Sequence, residues 1–136
     1  MSARYLLDTN TVSLALRGEA PHAVARLRAT DREDIAVSVI TAMELRFGLA
    51  KNPATRVRAV VEEFLEVVSV APIDRSIEKV YGELRTKLEK AGRPIGALDT
   101  IIAAHALSLG AVLVTNNKRE FRRVSGLRCE DWTRRD

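Results

Sequence analysis

Short apolar runs alternate with longer segments whose apolar residues recur every three or four positions. The runs predict buried strands, and the three-to-four spacing predicts amphipathic helices. Asp8-Thr9-Asn10, Pro21, Asn52-Pro53 and Gly92-Arg93-Pro94 mark where elements begin or end. The predicted strands are residues 5–7, 35–39, 69–71 and 111–114. The predicted helices are 12–16, 21–29, 41–51 with Thr41 as its cap, 54–68, 74 to the Gly92 turn, and 97–109.

Strands and helices alternate along the whole length, which predicts a mostly parallel central sheet covered by helices on both faces. No linker or internal repeat divides the chain, so we expect one α/β domain over residues 1–136. Polar sites in such sheets collect beyond the carboxyl ends of the strands. Asp8 and the Thr115-Asn116-Asn117 cluster both follow predicted strands, so we expect them at this edge.

Composition restricts the class of protein. The 136 residues are 46% hydrophobic and 29% charged, with a formal net charge of +4, which is typical of a globular protein with a mild preference for polyanions. The apolar stretches are interrupted by charges, so we expect no membrane span and a cytoplasmic protein. The single cysteine, Cys129, excludes an internal disulfide and a cysteine-based zinc site.

Acidic or amide side chains stand at four places with apolar surroundings: Asp8, Glu44, Asp99, and Asn117 with nearby Glu120. An unpaired carboxylate in apolar surroundings is costly unless a cation compensates it. Hard oxygen ligands favour Mg²⁺, with Mn²⁺ as the alternative. Convergence of these groups would therefore indicate a metal site without a bound organic cofactor.

Each of these positions also has a purely structural interpretation. Asp8 or Asp99 would cap a helix, Glu44 would form a capping box with Thr41, and Asn117 would make a turn. The residues alone leave both interpretations open.

A Mg²⁺ site of this kind supports phosphodiester hydrolysis, because the metal activates water and neutralises charge that develops on the phosphate. No protein nucleophile is then required. The sequence has no G-x-S-x-G elbow, no phosphate loop and only two histidines, His22 and His105.

Four ordered motifs resemble the PIN-domain toxins of the VapC type, the ribonuclease half of bacterial toxin-antitoxin pairs. The motifs are Tyr5-Leu6-Leu7-Asp8-Thr9-Asn10, Ser38 to Leu45 with Gly48, Gly92 to Asp99, and Val114 to Phe121. The resemblance implies a PIN-domain-like three-layer sandwich and a Mg²⁺-dependent endoribonuclease.

Carried over by position, the resemblance makes Asp8, Glu44 and Asp99 the metal-binding acids. Asn10 and Thr115 would orient them. Many relatives have an Asp where this chain has Asn117. The resemblance therefore leaves Asn117 and Glu120 as candidates for the fourth catalytic position, and a second metal would bind more weakly.

Two motifs and the segment from Leu127 to Trp132 look like the subgroup that cleaves initiator tRNA in its anticodon stem-loop and so arrests translation. The resemblance further implies inhibition by a VapB-type antitoxin and assembly as a homodimer. Five basic residues are candidates for RNA contact: Arg93, Lys118, Arg119, Arg122 and Arg123.

Two rival functions remain open at this point. Asp8 could be the nucleophile of a phosphatase, although Asn10 stands where those enzymes have a second Asp. The chain could also be a non-catalytic RNA-binding scaffold that lost its metal through the Asn117 change.

Overall fold

The computed structural model describes residues 3–135. Within them the strands are β1 (Tyr5–Leu7), β2 (Ile35–Ser38), β3 (Ser69–Ala71), β4 (Val112–Val114) and β5 (Cys129–Glu130). The helices are α1 (Thr9–Leu16), α2 (Pro21–Ala29), α3 (Val39–Lys51), α4 (Arg58–Val67), α5 (Ile77–Lys90), α6 (Ala97–Leu109) and α7 (Lys118–Phe121), with a 3₁₀ turn at Arg32–Asp34.

The five strands form one parallel sheet in the order β3-β2-β1-β4-β5. Leu7 of the central strand β1 is in register with Val37 of β2 and Val114 of β4. The residues that follow these three strands therefore meet at one edge of the sheet. The Asp8 backbone N–H donates to the Val114 carbonyl at 2.9 Å, which joins β1 and β4 at that edge.

Successive strand residues face opposite sides of the sheet, and each side carries its own core. Leu7, Val37 and Val114 pack with α1 to α4, and Trp132 joins this cluster. Leu6, Ala36 and Leu113 pack with α5 and α6. The predicted three-layer α/β sandwich is confirmed.

The start of α3 corrects one sequence interpretation. Ser38, the last residue of β2, accepts a 3.1 Å hydrogen bond from the Ile40 N–H and caps the helix. Thr41 is buried inside the first turn rather than at the cap. The Thr41–Glu44 capping box is therefore wrong, which leaves Glu44 without that structural explanation.

Other elements also differ from the predictions. Helix α4 begins at Arg58 rather than residue 54, because turns occupy the preceding residues. Helix α5 begins at Ile77, since Asp74 accepts a hydrogen bond from the Ser76 N–H before the helix starts. Strand β5 was not predicted.

Within residues 3–135, none of the helices combines the length and the apolar character needed to span a bilayer.

Candidate active site

Asp8 lies at the carboxyl end of the central strand and is only 7% exposed. Its Oδ1 accepts a 2.9 Å hydrogen bond from the Thr11 N–H, so the structural interpretation of Asp8 as a helix cap is confirmed. Burial raises the pKa of the Asp8 carboxyl, while hydrogen bonds from Thr115 and Thr11 lower it. Asp8 is thus a carboxylate held in one orientation at the edge of the sheet.

Asp99 is the third residue of α6, whose cap is Gly96 rather than Asp99 itself. The pKa of Asp99 is raised to about 7, chiefly by burial and next by the neighbouring carboxyl of Glu120. The charges of Asp8 and Glu44 act in the same direction. The structure therefore brings Asp8, Glu44, Asp99 and Glu120 together, from β1, α3, α6 and α7.

Glu44 is positioned by a residue that sequence reasoning missed. Thr9 Oγ1 donates a 2.6 Å hydrogen bond to Glu44 Oε1, and the hydroxyls of Thr9 and Thr41 lie 3.0 Å apart. Thr9 directly follows Asp8, so one turn of chain supplies an acid and orients a second one. The three-residue spacing of Thr41 and Glu44 had suggested a capping box, so nothing in the sequence pointed to a contact between Thr9 and Glu44.

Asn117 and Glu120, the two candidates for the fourth position of the acidic site, are hydrogen bonded to each other. Asn117 Nδ2 donates to Glu120 Oε2 at 3.0 Å, and the Asn117 N–H donates to Thr115 Oγ1 at 2.9 Å. Glu120 is the group that acts on Asp99. The carboxylate of Glu120 therefore takes the position next to Asp99, and the amide of Asn117 holds it.

The two residues expected to orient the acids behave differently. Thr115 is buried, and its side chain lowers the pKa of the Asp8 carboxyl, so it lies beside that acid. Asn10 is exposed, and its Nδ2 donates to Asn116 Oδ1 at 3.0 Å rather than to an acid.

A fifth carboxylate, Asp131, acts on Asp8 through its charge. It directly follows β5, which pairs in parallel with β4, so it arrives at the same edge of the sheet. Asp131 Oδ1 accepts a 2.9 Å hydrogen bond from the Thr133 N–H. Sequence reasoning missed Asp131 because a two-residue strand carries no periodic signal.

The donor groups fit a divalent cation in charge and in ligand type, since all are hard carboxylate oxygens. Glu120 Oε1 is buried without a hydrogen-bond partner among the described residues, a state that a cation would relieve. Within residues 3–135, however, no group of three or more His, Cys, Asp or Glu side chains has the spacing that a metal ion requires. The hydrogen bonds from Thr9 and Asn117 keep Glu44 and Glu120 beside the site, and a side-chain rotation of each would bring it to a bound ion.

The predicted RNA-contacting residues fall into two separate cavities, although all are exposed. Lys118, Arg119 and Arg122 line a cleft of about 680 Å³ that also includes Asp131. Arg93 and Arg123 line a different cavity, beside α5. The five residues therefore do not form one continuous rim.

The PIN domain family model matches residues 5–127. The tRNA(fMet)-specific endonuclease VapC of Salmonella typhimurium is 39% identical over 130 residues, covering 95% of this chain and 98% of that protein. The enzyme of the same name from Shigella flexneri is 37% identical over 131 residues, covering 96% and 98%. The crystal structure of DNA bound VapBC from Salmonella typhimurium matches with a TM-score of 0.88 and 39% identity, covering 96% of this chain and 98% of the matched chain.

Matches of this extent, to the family model and to relatives above 30% identity, agree with the sheet order and with the acids that meet at its edge. The chain therefore belongs to the PIN-domain family and, within it, to the VapC-type ribonucleases.

Proposed function

We propose that this chain is a Mg²⁺-dependent endoribonuclease that cleaves the anticodon stem-loop of initiator tRNA and thereby arrests translation. The observation that carries the proposal is the set of carboxyls that come from four separate elements and act on one another, where burial first and the neighbouring acids second raise the pKa of Asp99 to about 7. Folding alone gains nothing from bringing like charges together. A site that binds a cation and a phosphodiester explains the arrangement.

Asp8, Asp99, Glu44 and Glu120 would hold the Mg²⁺, with Mn²⁺ as the alternative ion. The bound ion would lower the pKa of a water molecule and offset the charge that develops on the phosphate. The chain's own groups set the geometry. The hydrogen bonds from Thr11 and Thr115 fix Asp8, the hydroxyl of Thr9 holds Glu44, and Asn117 holds Glu120.

The choice of RNA substrate is supported by the relatives from Salmonella typhimurium and Shigella flexneri, which are both named as tRNA(fMet)-specific endonucleases. The chain covers nearly their whole length. A folded stem-loop offers unstacked bases and closely spaced phosphates, which suit a carboxylate site beside exposed arginines. This agreement favours a ribonuclease over a phosphatase that would use Asp8 as its nucleophile.

The proposal includes a VapB-type antitoxin as the inhibitor. The matched Salmonella typhimurium chain was solved as a VapBC assembly, which supports a partner of this type for the present chain. We also propose a homodimer, on the family resemblance alone.

The test uses purified chain with two synthetic RNAs, the anticodon stem-loops of initiator and elongator methionine tRNA. We expect cleavage of the initiator stem-loop in Mg²⁺, loss of cleavage after chelation, and loss in Asp99→Asn. Sequencing of the products locates the cut. A protein that binds the stem-loop but never cleaves it would instead be a non-catalytic RNA-binding scaffold.

Growth supplies a second readout. Expression of the chain should arrest growth, and co-expression of its cognate antitoxin should restore it, whereas the folded Asp99→Asn variant should not arrest growth. Equal toxicity of the variant would contradict a nuclease mechanism.

A further inference from the structure

The cleft of about 680 Å³ is bounded on one side by α7 and on the other by the segment that follows β5. Its cationic lining residues come from three parts of the chain and are Arg26, Lys118, Arg119, Arg122, Arg134 and Arg135. Its acidic lining residues are Glu130 and Asp131. Of these basic residues, the sequence analysis named only Lys118, Arg119 and Arg122 as candidates for RNA contact.

The two acids of the cleft are already engaged by the protein. Glu130 Oε1 accepts hydrogen bonds from Arg26 at 3.1 Å and from the Trp132 indole N–H at 2.9 Å. Asp131 is bound by Thr133, and its Oδ2 lies 3.6 Å from Arg134 Nε. The Arg134 side chain is 85% exposed, so its contact with Asp131 leaves it open to a ligand. Lys118, Arg119, Arg122 and Arg135 are also exposed.

The positive charge of the protein is concentrated here. The cleft has six cationic and two acidic residues, an excess of four, and the formal net charge of the whole chain is also +4. All residues outside the cleft are therefore neutral in sum. A net charge confined to one concave surface attracts a polyanion to that surface in particular.

The cleft adjoins the acidic site directly. Asp131 lines the cleft and also acts on Asp8 through its charge. Asn116 lines the cleft and hydrogen bonds to Asn10, two residues beyond Asp8. An RNA chain bound at the acids would therefore lie next to the cleft.

We propose that this cleft binds the phosphodiester backbone of the RNA on one side of the scissile bond, with Arg122 and Arg134 on its opposite walls. The inference rests on the proposed ribonuclease function and adds the path of the substrate. The other cavity, which contains Arg93 and Arg123, does not bind the RNA.

The chemistry of the lining favours phosphates over bases. Trp132 is the one aromatic residue of the cleft, and it is only 2% exposed because it packs edge-on against Tyr5 with the Arg26 guanidinium 4.7 Å from its ring. It offers no face for a base to stack on. Contacts would be to the backbone and would tolerate different sequences.

The cavity beside α5 has a different character. It is lined in part by Leu84, Leu88 and Leu107, and the Arg123 guanidinium donates to the Pro94 carbonyl at 2.9 Å. Arg123 is therefore committed in part to the protein, and Arg93 and Lys87 are suitable matched controls of equal charge.

The experiment measures binding of a fluorescent anticodon stem-loop RNA to full-length Asp99→Asn protein, which prevents cleavage during the measurement. Arg122→Gln and Arg134→Gln are each added to this background, with Arg93→Gln and Lys87→Gln as controls. We expect Kd to rise roughly threefold or more for each cleft variant, and the slope of log Kd against log salt to fall by about 0.7 per lost phosphate contact. Both controls should match the parent.

A second measurement uses the active protein. Arg122→Gln and Arg134→Gln should raise KM for the stem-loop with kcat unchanged. Neither should alter cleavage of a dinucleotide, because it is too short to enter the cleft. Thermal unfolding checks that both variants remain folded.

The outcomes separate the two proposals. If the wild type cleaves the RNA and Asp99→Asn binds it, but the cleft variants and the controls behave alike, the cleft inference is overturned and the ribonuclease function stands. If no RNA is bound or cleaved by the parent protein, both are overturned. If the cleft variants keep RNA binding but lose binding of an acidic antitoxin peptide, the cleft is a protein-binding surface and the inference is again wrong.

Discussion

The Asn117 amide donates a 3.0 Å hydrogen bond to the Glu120 carboxylate, so the neutral residue in the fourth motif holds a charged one that lies three positions later. Asn117→Ala should lower the cleavage rate by about tenfold, since loss of an orienting group typically costs 10- to 100-fold. Glu120→Gln should cost more, because it removes the negative charge itself. Single-turnover cleavage measures both.

Asn10→Ala serves as the contrast for Asn117→Ala. The hydrogen bond of Asn10 goes to Asn116 and not to an acid, so its loss should have the smaller effect. An equal loss of rate in the two variants would contradict the assignment of the orienting role to Asn117.

Thr9→Val should reduce Mg²⁺ affinity or cleavage by about 10- to 100-fold, because it removes the 2.6 Å hydrogen bond to Glu44 with little change in side-chain shape. Thr9→Ser retains a hydroxyl and should restore most of the activity. The measurement is the rate of cleavage at several Mg²⁺ concentrations. Failure of Thr9→Ser to recover would indicate that the methyl group, and not the hydroxyl, is required.

Asp99→Asn should stabilise the metal-free protein at pH 8 while it abolishes cleavage. The folded-state pKa of Asp99, about 7, lies above its ordinary value of 3.8, so the unfolded chain ionises first as the pH rises. Relative to Asp99→Asn, the wild type is therefore most stable at low pH, and its free energy of unfolding falls as the pH rises from about 4 to 7. Since Asp99 is partly exposed to screening solvent, we expect a gain of about 1–2 kcal/mol at pH 8.

Urea unfolding of the wild type and Asp99→Asn across pH 4 to 8 gives this comparison. Asp74→Asn is a control of opposite sign, because hydrogen bonds from Ser76 lower the pKa of that exposed carboxyl. It should not stabilise the protein. A pH-independent difference between the wild type and Asp99→Asn would show that the carboxyl is not perturbed.

Apparent Mg²⁺ affinity should weaken as the pH falls below about 7, by up to about tenfold per pH unit. A proton held by Asp99 competes with the ion for the same oxygens, and this competition begins near the raised pKa. Calorimetric titration of Mg²⁺ at pH 5.5, 6.5 and 7.5 measures it, with proton release on binding as an internal check. Affinity that does not change over this range would mean that Asp99 is not a ligand.

Much of the fold could be predicted because long amphipathic segments and buried strands each have a clear period. The predicted bounds of helix α6 and strand β1 match the structure, and strand β4 begins one residue later than predicted. Strand β5 has two residues and no period, so neither it nor the approach of Asp131 to Asp8 was visible. The start of α3 was wrong because Ser38 ends a strand and caps a helix at once.

The site was predicted less from physics than from motifs. Residue spacing alone could not decide whether Asp8 caps a helix or binds an ion, and the structure shows that capping is real. The partner of Glu44 depends on how β1 and β2 pair, which sequence spacing does not contain. Roles of individual acids in catalysis stay predictions until the variants are measured.

The position of β1 in the middle of the sheet has a consequence during synthesis. Tyr5 precedes Val112 of β4, the neighbour that its strand needs, by more than a hundred residues, and Glu120 is made later still. Loop closure over such a separation delays assembly until the residues as far as Glu120 have left the ribosome. A nascent chain that reaches only as far as α6 therefore lacks both β4 and Glu120, and its acid cluster is not assembled.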